Sequence, residues 1–201
     1  MSSPRSSSPL ARLTGLGSPL RRAAYWTFES LPRFLRRRVV GAFMPSYVLA
    51  ASCVIEGPDG RILVARSAYR RTWVFPGGLL DRNETPDDCV RREVFEEVGL
   101  DVKLDSRTIT LIDPESRRID FLYAGRVTDA TVTLDPAEMS DYEWVRREDM
   151  DDFVERHVTM IDRKLELLDS GVSMAVVSWD DIDGRAARRY RVRSIDPDPA
   201  G

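Results

Sequence analysis

Three carboxylates crowd the middle of the chain: Glu93, Glu96 and Glu97 stand at i, i+3 and i+4. On a helix this spacing stacks them on one face. Like charges held so close repel unless something neutralises them, and a hard divalent cation with oxygen ligands is suited to that task. The chemistry to expect is therefore that of a carboxylate-held metal ion. Residues 78–100 must position it. They read as a loop feeding a short helix, with Thr85 as N-cap, Pro86 at the first helical position, Asp87 and Asp88 at the positive end of the dipole, and Gly99 as the stop. Val90, Val94 and Val98 form a neighbouring stripe, roughly a quarter-turn round the helix by the 3.6 period. The valines can bury on a sheet while the glutamates face a cleft.

This stretch resembles the Nudix box: Gly78, five residues, Glu84, seven residues, Arg92-Glu93, Val94, any residue, Glu96-Glu97, any residue, Gly99, Leu100. All nine specified positions match. The resemblance implies an α/β fold, the Nudix α/β/α sandwich with a mixed sheet. It also implies hydrolysis of a diphosphate linkage, in a nucleoside diphosphate joined to another moiety, with Mg²⁺ or Mn²⁺. A diphosphate is anionic and repels hydroxide, so charge neutralisation comes first. A metal ion also lowers the pKa of bound water. By the same resemblance Glu93, Glu96 and Glu97 are the metal ligands, Glu93 is also a candidate base, and the carbonyl of Gly77 is a further ligand. Arg92, four residues before Glu96, is placed to orient it. Glu84 orders the loop or serves an outer metal. Family members differ in their base, and some recruit an acid from a later loop; here Glu138, Asp141 and Glu143 are available, and Glu138 is the choice.

Beyond the box, Arg66, Arg70 and Arg71 precede the glycine turn and can meet phosphates or stay solvated. Tyr47 and Tyr123 can stack a base. Trp73 and Phe75 flank the approach to the turn, as core aromatics or as substrate contacts. His157 reads as a helix-surface residue and Cys89 as a small packing residue.

The chain has 201 residues, 42% of them hydrophobic, and a net charge of −3, which singles out neither nucleic acid nor membrane as a partner. Its length suits one core with extensions. Lys103 and Lys164 are its only lysines; arginine carries the remaining basic charge. Two cysteines, Cys53 and Cys89, give no disulfide framework and fit a reducing, cytoplasmic setting. No apolar run approaches the ~18 residues of a spanning helix.

Four segments are expected. Residues 1–17 are a mobile Ser/Pro/Arg-rich tail, 18–45 a basic helical extension, 46–168 the catalytic domain, and 169–201 a C-terminal β-hairpin and tail. In the extension, helices are expected over 18–30 and 33–43. Its arginines can be solvated while its apolar side packs on the domain or a second subunit; contact with an anionic membrane or a nucleic acid is the other use, and an organelle-targeting peptide has a similar composition. Strands are expected over 46–56, 61–66, 72–75, 102–112, 118–128 and 141–145, and a helix over 147–168. In the hairpin, a turn at Asp183-Gly184 pairs Val177 with Tyr190 and Ala175 with Val192, giving one mainly apolar face and one basic face. This hairpin either adds an edge to the core sheet or forms a homodimer contact. A small-molecule nucleotide diphosphate is the expected substrate. Two other readings stay open: a non-catalytic nucleotide sensor or binding module, whose usual mark is loss of box glutamates, and an RNA-end hydrolase using the basic N-terminal arm.

Overall fold

The computed structural model describes Trp26, Pro32, Leu35 and residues 46–157, 161–182 and 187–194, with 178–182 and 187–194 described by backbone alone. The chain forms two compact units, Met1–Ser46 and Tyr47–Gly201. In the first, Trp26 and Leu35 are helical and the Leu35 N–H donates to the Pro32 carbonyl at 3.0 Å. The rest of the expected helices over 18–30 and 33–43, and the tail over 1–17, lie outside the described residues. No described helix is long and apolar enough to cross a membrane.

The second unit is built on one mixed sheet. Its elements in chain order are β1 (Val48–Glu56), β2 (Ile62–Ser67), β3 (Trp73–Val74), β4 (Gly77–Leu79), α1 (Pro86–Val98), β5 (Lys103–Asp113), β6 (Arg118–Arg126), β7 (Met139–Val145), a 3₁₀ turn (Arg147–Asp149), α2 (Met150–His157), α3 (Ile161–Asp169), β8 (Met174–Ile182) and β9 (Ala187–Ser194). The strands run β3-β2-β1-β6-β5-β8-β9, with β4 added to β1 and β7 to β2. β1 pairs with β6, and β5 with β8, in parallel; the other pairs are antiparallel.

Alternation along the central strand makes the layers. Ala51, Cys53 and Ile55 of β1 pack with Val90, Val94 and Val98 of α1. Val54, with Ile109, Leu111 and Leu122, packs with Phe153 of α2 and Leu165 and Leu168 of α3. The result is the α/β/α sandwich expected from the resemblance. Each fully buried α1 valine contributes on the order of 1.5–2 kcal/mol, enough together to fix which face of α1 meets the sheet.

Three departures from the sequence-based expectation bear on the site. The first hairpin is paired only at Ile55↔Leu63 and Glu56↔Ile62. Below that level β1 bonds to β4 instead, through Ala50↔Leu79, Ala51↔Gly78 and Ser52↔Gly77, so the glycine turn forms a strand rather than ending one. The helix expected over 147–168 is described as the 3₁₀ turn, α2 and α3, with 158–160 outside the described residues. The C-terminal hairpin pairs Val177 with Val192 and Ala175 with Ser194, two residues from the expected register. A two-residue slip keeps every position on its expected face, where a slip of one would invert them all. β8 joins β5 through Thr110↔Met174 and Leu111↔Ala175, so the hairpin extends the core sheet.

Candidate active site

Helix α1 starts and stops as its sequence dictates. Thr85 is extended and its Oγ1 accepts from the Asp88 N–H; Gly99 adopts φ 71° and its N–H donates to the Phe95 carbonyl. With Val90, Val94 and Val98 wholly buried, Glu93 and Glu97 are carried to the sheet edge where β4 meets β1.

Two glycines make room for them. Gly77 has φ 148°, and a Cβ there would lie 2.2 Å from the Ala51 carbonyl oxygen, a distance no side chain permits. Its N–H donates to Glu97 Oε2 at 2.8 Å. At Gly78 a Cβ would lie 2.4 Å from the Glu93 carboxyl carbon. The missing side chain is the space the Glu93 carboxylate fills.

Glu138 completes the group. The Asp135 N–H donates to the Glu97 carbonyl, the Glu138 N–H to the Asp135 carbonyl, and the Ala68 N–H to the Glu138 carbonyl. These links fold the loop before β7 over the end of α1. One carboxylate oxygen each from Glu93, Glu97 and Glu138 then lies within 4.8 Å of the others. Glu96 stands outside this trio, its side chain 56% exposed and bonded to Arg92 Nη1 at 3.0 Å.

Arg92 ties the rim together. Its Nε and Nη2 grip Glu84 at 2.8 and 2.9 Å, its Nη1 meets Glu93 at 2.8 Å, and Nη2 reaches the Leu79 carbonyl. The guanidinium beside Glu84 drives that carboxyl down to about 2. Glu84 also accepts from the Asp81 N–H at 2.8 Å, so it orders the loop that leads into α1.

The electrostatics of the trio run the other way. Burial, and then the charges of Glu93, Glu138 and Glu96, push Glu97 up to about 8, against the bond from Gly77. Glu93 is raised too, by burial first, with Arg92 opposing. A folded-state value near 8 against an ordinary 4.5 means the native state holds a proton that the unfolded chain releases. Stability from this group is full below pH 4.5 and is lost as the pH rises towards 8. The metal-free protein is expected to lose roughly 3 to 5 kcal/mol between pH 4.5 and 8. Urea denaturation of EDTA-treated protein across that range checks this; a flat or rising profile would contradict it.

Three oxygen donors, one deeply buried and all repelling one another, are a donor set fitted to a hard divalent cation. Arg92 leaves Glu97 untouched, and among the described residues no cationic side chain pairs with this buried member of the trio.

The other sequence candidates separate by position. Arg66 is the last residue but one of β2, with its Nε buried and without a hydrogen-bond partner among the described residues, and Arg70 and Arg71 are exposed in the turn that follows. Tyr47 is 37% exposed at the start of the domain. Trp73 belongs to the core, edge-on to Phe153, rather than to a ligand surface. His157 differs from expectation: it is half-buried against both those rings, because β3 and α2 converge there. Tyr123 is partly buried on the α1 side, and burial raises its hydroxyl. Burial also lifts the Cys89 thiol to about 12 and raises Cys53, so both are inert packing residues. Asp141 and Glu143 are exposed positions of β7, with Asp141 opposite Arg66. Sequence reasoning did not anticipate the steric role of Gly78; its fixed place in the box was the available signal.

A family model described as the NUDIX domain matches residues 46–164. A MutT-like protein of Streptomyces ambofaciens is 42% identical over 64 residues, 32% of this chain and 42% of that protein. An RNA pyrophosphohydrolase of Methylococcus capsulatus is 40% identical over 55 residues, 27% of this chain and 29% of that protein. The chain thus spans less than half the length of these curated relatives. The crystal structure of a MutT protein from Methanosarcina mazei Go1 superposes with a TM-score of 0.52 at 21% identity, covering 63% of this chain and 96% of that one, a likeness of fold.

Proposed function

We propose that this chain, which belongs to the NUDIX domain family, hydrolyses a diphosphate linkage in a nucleotide-type substrate with the help of Mg²⁺ or Mn²⁺. The observation that carries this reading is the convergence of Glu93, Glu97 and Glu138 beside the glycine turn. Glu93 and Glu97 would hold the ion, with Glu96 and the Gly77 carbonyl as the further ligands that the resemblance implies. The bound ion would neutralise diphosphate charge and acidify a bound water. The chain's own residues do the rest. Glu138 is the exposed member of the trio, placed to take a proton from the attacking water. Arg92 pins Glu93 and Glu96 and orders the loop through Glu84. Arg66 and Arg70 meet substrate phosphates from the end of β2. Two free, buried cysteines suit a reducing, cytoplasmic setting.

Glu138→Gln is expected to lower kcat by about 10² to 10⁴ with little change in KM. An unchanged kcat would move the base to Glu93.

The reading is tested by a hydrolysis screen across nucleoside triphosphates, ADP-ribose, nucleotide sugars, dinucleotides and 5′-triphosphorylated RNA, with product identification. Cleavage between two phosphorus atoms is expected. The RNA arm follows from the similarity of this chain to RNA pyrophosphohydrolases of several bacteria. Tight nucleotide binding with no phosphate release under Mg²⁺ or Mn²⁺ would instead mark a sensor or binding module.

A further inference from the structure

The turn between β2 and β3 carries features the trio does not use. It is tied to the Glu138 loop: the Ala68 N–H donates to the Glu138 carbonyl at 2.8 Å, and Ser140 Oγ donates to the Arg66 carbonyl at 3.2 Å. Within the turn the Ser67 N–H bonds to Thr72 and the Arg71 N–H to Ser67, so it is a closed, ordered loop. Tyr69 stands at its tip with 72% of its surface in solvent, among the most exposed large hydrophobic side chains described. The Arg70 guanidinium lies over one face of the ring, 5.3 Å from its centre. Arg71 holds φ 57°, a left-handed conformation that favours glycine by on the order of 1 kcal/mol. Among the described residues no carboxylate comes within ion-pair distance of Arg66, Arg70 or Arg71.

A solvent-facing aromatic ring, flanked by unpaired guanidinium groups and hydrogen-bonded through its turn to a reacting carboxylate's loop, has the chemistry to bind a flat heteroaromatic ring attached to phosphates. An arginine kept at a strained position that glycine would occupy without cost points to use of its side chain.

We infer that Tyr69 is the stacking platform for the substrate's nucleobase, with Arg71 and Arg70 directing its phosphates towards Glu138. This deepens the nucleotide reading above and rests on it. The recognised unit is a nucleobase with its attached phosphates, whether in a free nucleotide or at the 5′ end of an RNA. Stacking makes recognition tolerant of base identity, because every base presents a π-face.

Binding rather than turnover tests this, so that a failure of hydrolysis does not decide it. Calorimetric titration of the full chain with α,β-methylene nucleoside diphosphates, one purine and one pyrimidine, is compared with methylenediphosphonate, which lacks a base. The wild type is expected to bind both nucleotides at least tenfold more tightly than methylenediphosphonate. Tyr69→Ala should bring them within about twofold of it, and Tyr69→Trp should restore the gap. Arg71→Gly should weaken both ligand types alike while leaving the melting temperature the same or higher. A 5′-triphosphorylated oligoribonucleotide that gains over the mononucleotides, and loses its gain in Tyr69→Ala, would identify an RNA end as the source. A Tyr69→Ala protein that keeps the full preference for base-bearing ligands, or a wild type with no such preference, would overturn the proposal. Neither outcome touches the hydrolysis reading, which the screen decides.

Discussion

Glu97→Gln is expected to lower turnover by at least about 10³-fold while the protein stays folded. Glu97 is only 5% exposed, and among the described residues the single donor to its carboxylate is the Gly77 N–H. A glutamine oxygen can keep that bond and fill the same volume, so the fold loses little. What disappears is the buried negative charge facing Glu93 and Glu138. Electrostatic stabilisation of this kind is worth on the order of 4 kcal/mol when removed, which is about 10³ in rate. The same change removes the group that titrates near 8. The metal-free variant should therefore be the more stable protein at pH 8, and should lose most of the wild type's fall in stability between pH 4.5 and 8. Loss of activity with gain of stability separates a functional charge from a structural one. Steady-state kinetics and urea denaturation on one preparation read both; undiminished turnover would remove Glu97 from the reaction.

Gly78→Ala is expected to lower kcat by about 10²-fold, through a methyl group that touches no substrate. The added Cβ would sit 2.4 Å from the Glu93 carboxyl carbon, well inside van der Waals contact. Glu93 must swing away, and its bond to Arg92 Nη1 at 2.8 Å goes with it. Displacing a reacting group by about an ångström costs on the order of 10² in rate. The stability cost should be about 1–3 kcal/mol, the usual range for overpacking. Gly78 carries no positive φ, so backbone strain does not confuse the result. Leu79→Ala, at an exposed position next in the chain, is the control and should stay within about twofold of wild type. A Gly78→Ala enzyme with wild-type kcat would show that Glu93 does not need its present position.

The parts of the site legible in the sequence are those that one contiguous segment encodes. The caps, the valine stripe and the glutamate spacing of α1 are local, and helix geometry alone places them on their faces. The choice of Glu138 needed only a loop acid and a resemblance, and the links from Asp135 to Glu97 and from Ala68 to Glu138 bring it to the other two carboxylates. Non-local features were harder. β4 is three residues long with two glycines, which no propensity favours as a strand; it forms because β1 offers it an open edge. Trp73 reads equally as core or as ligand surface until α2 brings Phe153 against it. The hairpin faces were legible because alternation survives a two-residue slip, whereas the register depends on the turn. Helical spacing places Glu93 and Glu96 on one face and Arg92 Nη1 bonds to both, but only the fold shows that Glu93 is largely buried while Glu96 is exposed.

We expect Glu93 and Glu97 to hold a divalent cation beside Glu138, with the buried Glu97 giving up a proton when the ion binds. Titration of Mn²⁺ into the metal-free protein, followed by electron paramagnetic resonance of the free ion, measures this directly when repeated from pH 5 to pH 8. Binding should tighten as the pH rises through that window and be largely lost in Glu97→Gln. Mn²⁺ binding that is equally tight at both ends of the window, and equally tight in Glu97→Gln, would contradict it.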